Sequence, residues 1–136
     1  MGYTFAEVTL KNVYDVVNVI RGEIKESEVR QKNLRALVDT GSNFLVISEE
    51  LRRELGLPIS GKRDVSLADN TKLTCDLAGP VEIHWKDRWA TQSALVIPDR
   101  PNVLLGAWPL EEMDLIVDPV RQEVTGAHGD EWVCYV

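Results

Sequence analysis

The chain has 136 residues, a formal net charge of −7 and a pI near 4.8, with 44% hydrophobic and 27% charged residues. That is the balance of an ordinary globular protein, and residues 1–136 read as a single domain long enough to bury a real core. The acidity argues against nucleic acid or an anionic membrane as a partner, and no apolar run approaches the length of a membrane span.

Met1-Gly2-Tyr3 opens the sequence without a signal peptide, and Cys75 and Cys134 make neither a metal spacing nor a disulfide framework. The expectation is therefore a cytoplasmic protein with reduced thiols, no metal and no cofactor. Tyr3 to Leu10 alternates between two faces, which predicts a strand. Val13 to Ile20 is apolar and rich in β-branched residues and predicts another, turned by Arg21-Gly22-Glu23. Ile24 to Gln31 predicts an exposed hairpin arm. Leu34 to Val38 leads into Asp39-Thr40-Gly41-Ser42, and Phe44 to Ile47 leads out again.

A short helix follows, capped by Ser48, with Glu49 and Glu50 in its first turn and Gly56 ahead of Pro58 to stop it. Val65-Ser66-Leu67 and Lys72-Leu73-Thr74 predict a β-hairpin whose tip is Asp69-Asn70, the pair most tolerant of a left-handed backbone after glycine. Val81 to Trp85 and Trp89 to Ile97 predict another around Lys86-Asp87-Arg88. Pro98 to Asn102 is a loop, and Val103-Leu104-Leu105-Gly106 is a buried strand ending at glycine. Pro109 opens a second short helix. Leu115 to Asp118 is a strand, Pro119 to Gln122 a turn, and Trp132 to Val136 a last strand. Many short strands with one or two short helices predict an all-β fold, a small closed β-barrel or sandwich.

Asp39 stands out because it ends an apolar strand at a glycine turn from which the chain re-enters the core. A carboxylate in a partly desolvated position must be hydrogen-bonded in its charged form or shift its pKa. Thr40, Gly41 and Ser42 offer N–H groups and hydroxyls to hold it, and Gly41 permits an unusual backbone or a close neighbour. The plain alternative is a β-turn built from ordinary turn residues.

The order of these elements resembles the retropepsin-like aspartic proteases, the single-lobed relatives of pepsin. Val38-Asp39-Thr40-Gly41-Ser42 is similar to their catalytic motif, Leu104-Leu105-Gly106 to their second apolar-apolar-glycine motif, and Pro109 to Met113 to the helix after it. The resemblance runs from about Val13 to Asp118. It implies a closed β-barrel with a flap hairpin over the site, here Leu67, Ala68, Asp69, Asn70 and Thr71. It also implies hydrolysis of peptide or protein substrates by two carboxylates that share one proton. The chain holds one Asp-Thr-Gly, and Asp118 precedes proline rather than a Thr-Gly turn. The second carboxylate must then be Asp39 of another copy, in a two-fold homodimer. The family further implies that Thr40 bonds across the dimer axis and that Ser42 bonds the outer carboxylate oxygen. Interleaved terminal strands, Met1 to Phe5 and Trp132 to Val136, are the expected dimer contact. The sequence departs from the family in its flap, which has no glycine between Lys62 and Ala78.

Other chemistry-bearing residues have plainer readings. His84 and His128 sit in no ligand-spaced cluster. Trp85, Trp89, Trp108 and Trp132 are scattered, with no basic interleaving, and read as core or interface. Cys75 lacks a basic partner and reads as a structural thiol, and Arg52-Arg53 as a solvated helix face. Two rivals to the protease stay open: the same fold as a peptide-binding scaffold, favoured by the glycine-free flap, and an unrelated β-barrel whose Asp-Thr-Gly is only a turn.

Overall fold

The computed structural model describes residues 2–136. Strand β1 (Phe5–Asn12) keeps the expected alternation, burying Ala6, Val8 and Leu10 while Glu7 stays in solvent. It pairs antiparallel with β2 (Gln31–Val38), and β2 runs parallel to the two-residue β7 (Leu104–Leu105). From β7 the sheet passes to β3 (Leu45–Ile47), β6 (Arg88–Val96) and β5 (Lys72–Trp85), and β5 pairs back onto β1. Six strands thus form a closed ring, and β4 (Ile59–Ser66) hangs from β5 as a seventh. The fold is all-β, as expected. The ring encloses the main core, in which Leu10, Leu45, Ile47, Ile83 and Leu105 are fully buried. A smaller cluster of Val46, Cys75, Leu95 and Leu104 lies under the β4–β5 hairpin.

The two expected hairpins share one strand. β5 is 14 residues long and pairs with β4 through its first half and with β6 through most of its length. Its register with β6 slips between Ala78 and Val81, at Gly79-Pro80. A bulge bends a strand and tolerates proline, so one strand can turn from the hairpin into the ring.

Val13–Ile20 corrects the sequence reading: it is a helix, α1, not a strand. Propensity lost to polar anchoring at its start. The Asn12 side chain caps the helix by accepting from Asp15 N at 3.2 Å and donates to Leu55 O at 2.9 Å. The buried Asp15 carboxylate accepts from Arg30 N and from its guanidinium at 2.8–2.9 Å, which holds its pKa below the usual range. The expected hairpin arm at Ile24 to Gln31 is instead a 3₁₀ turn, Glu26–Glu28, running into β2. With α2 (Glu49–Glu54) and α3 (Ala107–Glu112), the helices number three among the described residues. Arg52 is less solvated than expected, because its guanidinium binds Glu49 and donates to Leu57 O at 2.8 Å. Glu49 is thereby pulled down to a pKa of about 2.

The C-terminal region departs furthest from expectation. β8 (Leu115–Asp118) pairs with β9 (Glu123–Gly126), a strand not expected, in a separate two-stranded sheet. Trp132 to Val136 is not a strand: it joins no ladder, and Val133 N goes to a side chain instead. The Trp132 ring meets Trp89 edge-on at 5.0 Å, its Nε1–H donates to Glu112 O, and Val133 N donates to the Asp114 carboxylate at 3.1 Å. Arg88, buried against Trp85, donates to the carbonyls of Met113, Asp114, Gly129 and Glu131. His128 Nδ1 donates to Asp114 Oδ2 at 2.7 Å, and its Nε2 pairs with Tyr135 Oη at 3.0 Å.

These contacts make the tail pH-sensitive. The His128 hydrogen bond, with help from Val133 N, holds the Asp114 carboxyl below its ordinary value. A lowered carboxylate pKa contributes stability above the unfolded value of about 3.9 and loses it as pH falls through the folded value. Residues Trp132 to Val136 are therefore expected to loosen below about pH 4 while the ring persists. Amide exchange of Val133 against Ile83 checks this, and equal protection of Val133 at pH 3 and pH 6 would contradict it.

Candidate active site

Strand β2 delivers Asp39 to one end of the ring, and the backbone grips the turn from two sides. Leu37 N donates to Val103 O at 2.8 Å and Asp39 N to Leu105 O at 3.0 Å, while Val38 N donates to Thr4 O at 2.8 Å. Ser42 N closes the turn onto Asp39 O at 3.1 Å. The start of α3 then donates back, Ala107 N to Ser42 O at 2.7 Å and Trp108 N to Asn43 O at 3.0 Å.

Gly106 explains why the second motif needs glycine. A Cβ there would lie 2.7 Å from both Ser42 O and the Asn43 carbonyl carbon, which are backbone atoms that cannot swing aside. Its φ of −84° is ordinary, so the requirement is steric. Leu104 and Leu105 on either side of the strand fill the smaller cluster and the main core. Leu104, Leu105 and Gly106 thus form a bracket for residues 39–43.

The Asp39 carboxylate accepts one hydrogen bond, from Gly41 N at 3.0 Å. Gly41 is not left-handed, and a Cβ on it would sit 3.2 Å from Asp39 Oδ1. Closeness to the carboxylate, rather than unusual backbone, is what glycine supplies here. The Ser42 hydroxyl faces Phe44 O at 3.5 Å, a weak contact, and does not reach the carboxylate. Asp39, Thr40 and Gly41 are all exposed. The expected partial desolvation is not met within one chain, because the turn lies exposed at the end of the ring.

The β4–β5 hairpin closes through Leu67 N to Thr71 O at 2.8 Å and Asn70 N to Leu67 O at 2.9 Å. Asn70 takes the left-handed conformation at φ 67°. Asp69 accepts from Thr71 N at 3.0 Å and from the Thr71 hydroxyl, which lower its pKa. All five residues Leu67 to Thr71 are exposed.

Between the Asp39 turn and this hairpin lies a cleft of about 350 Å³. Gly41, Ser42, Asn43 and Phe44 line one side and Arg63 to Ser66 the other, with Leu95 and Trp108 below. Phe44 and Trp108 meet edge-to-face at 4.9 Å. The base of the hairpin, and not its tip, lines this space. Sequence reasoning missed Phe44, Arg63, Val65, Leu95 and Trp108. The retrievable signal was position: Trp108 lies two residues after Gly106, and 63 and 65 share a strand face.

The remaining candidates lie elsewhere. His84 bonds Glu82 and stacks on Trp89, and His128 belongs to the C-terminal cluster. Cys75 is buried, and burial followed by the neighbouring Asp76 charge pushes its thiol pKa up. That suits a structural thiol rather than a nucleophile.

An apolar strand ending in Asp-Thr-Gly-Ser, bracketed by an apolar-apolar-glycine strand and faced by a hairpin across a cleft, defines a class of aspartic peptidases. An aspartyl protease family model matches residues 22–108, spanning Asp39 to Ser42, the hairpin and Leu104 to Gly106, and the chain belongs to this retropepsin-like family. No curated protein matches the chain in sequence.

Proposed function

We propose that the protein is a homodimeric aspartic endopeptidase in which Asp39 of two copies activates a water molecule against a peptide bond. The observation that carries this is the exposed Asp39 turn, held by the Gly106 bracket beside an open cleft. Such a turn has one carboxylate where the chemistry needs two. A two-fold axis beside it supplies the second and desolvates both. One carboxylate then takes a proton from water while the other gives a proton to the carbonyl. Leu67 to Thr71 serves as the flap, and an extended substrate adds as a strand beneath it.

Trp132 and Val133 are held by their own chain, which disfavours the tail as the interface. The β8–β9 turn is the better candidate. Val120 at its tip is 90% exposed, Tyr3 is 75% exposed, and Gly2 packs on Gln122 of the same turn. Thr4 joins this patch to the Asp39 turn through its bond to Val38. Val120→Lys is expected to weaken self-association at least tenfold, roughly the effect of placing a charge against an apolar contact, while leaving Tm unchanged. Sedimentation velocity checks it, and an unaltered dimer constant would move the interface elsewhere.

A peptide-binding scaffold is the second reading, favoured by the Asp69–Thr71 bonds that brace the glycine-free tip. Incubation with a mixed peptide pool from acidic to neutral pH separates the two. Cleavage that depends on Asp39 supports the enzyme, and binding without cleavage supports the scaffold.

A further inference from the structure

The cleft is not uniformly apolar. β4 alternates, so Arg63 and Val65 share one face of the hairpin and Asp64 and Ser66 the other, and all four residues line the cleft. The cross-strand partners agree: Arg63 lies opposite Cys75, buried in the smaller cluster, and Asp64 lies opposite Thr74, whose hydroxyl it accepts at 2.8 Å. The Arg63 guanidinium sits 5.0 Å from the centre of the Phe44 ring. No carboxylate of the described residues engages it. Asp64 is taken by Thr74, Asp76 by Lys62 at 2.8 Å, and Asp39 by Gly41 N. Among the residues that line the cleft, Arg63 is the single cation.

We infer that Arg63 makes this cleft a subsite for an acidic substrate side chain, glutamate above all, beside the bond that is cut. Glutamate fits both halves of the lining. Its methylene stem lies along Phe44, Val65 and Leu95, and its carboxylate meets a planar guanidinium already held over an aromatic ring. On a protein with net charge −7, an acidic peptide gains little from long-range attraction, so the preference must come from this local contact. The pairing therefore turns on the substrate carboxyl. Preference for glutamate over glutamine should therefore grow as pH rises through about 4.3 and fade below it.

This inference rests on the protease reading, and the test separates the two. Paired peptides differing only by glutamate or glutamine within the cleaved segment are presented to wild type, Arg63→Gln and Asp39→Asn proteins. Wild type is expected to favour glutamate by roughly fivefold to tenfold in kcat/KM at pH 6, between a surface pair and a desolvated one. The readout is the ratio within each protein, whatever the overall rate. In Arg63→Gln the ratio should fall to about one and lose its pH dependence. Wild-type cleavage with no glutamate preference, or a preference that survives Arg63→Gln, overturns the subsite and leaves the protease standing. If neither peptide is cut by any form, the protease reading fails and equilibrium binding of the same pair decides the subsite. Tighter glutamate binding that is lost in Arg63→Gln upholds it, and equal binding overturns it.

Discussion

Replacing Asp39 by asparagine is expected to remove peptide cleavage, by about a thousandfold or more, while leaving the fold and Tm unchanged. The amide keeps the carboxylate's shape and can still accept from Gly41 N, but it cannot exchange a proton. Exposure of the side chain makes a folding defect from this change small. The same chemistry fixes the pH profile. One shared proton is required, so activity should fall on both sides of an acidic optimum. Adding excess Asp39→Asn chains to wild type should then lower activity per wild-type chain, because mixed dimers hold a single working carboxylate. Constant specific activity during proven subunit exchange would exclude a two-aspartate site.

Gly106→Val should produce the largest loss of stability. The new side chain meets Ser42 O and the Asn43 carbonyl carbon, and relief requires moving the Asp39 turn or the start of α3. Either movement stretches the bonds from Ala107 and Trp108 into that turn. Overpacking against fixed backbone costs about 1–3 kcal/mol, a fall in Tm of roughly 5–10 °C for a chain of this size. Activity should fall further than stability, since the atoms displaced are those that position Asp39. Gly61→Ala is the control, because no atom lies within 4 Å of its added Cβ. A Gly106→Val protein that melts like wild type would show that the bracket yields.

The site was legible where a few residues carry both local geometry and chemistry. Asp39 to Ser42 and Leu104 to Gly106 each have a reason within their own short stretch, and the structure joins them through Asp39 N and Leu105 O. The cleft wall at Arg63, Val65 and Leu95 was not legible, because it depends on the register of β4 against β5 and on how far β5 extends. Val13 to Ile20 misled because β-branched residues favour strands, while the determinants of its helix, Leu55 O and Arg30, lie far along the chain. Trp132 to Val136 misled for the opposite reason. Its apolar, strand-like composition is real, but Trp89 and Asp114 claim the segment first.

The hold on the Asp39 turn also governs when the site comes into being. Its backbone partners come from Thr4 near one end of the sequence and from Val103 to Leu105 towards the other, and β2 meets β7 in parallel, a pairing no tight turn can make. Loops of that length must close before the pairing returns any energy, so a chain of this topology folds slowly. The β4–β5 and β5–β6 hairpins are local and can form early, whereas the Asp39 turn waits for these distant segments to meet. A nascent chain still lacking Leu104 to Gly106 would hold Asp39 in a floppy loop, chemically silent until synthesis has passed the residues that pin it.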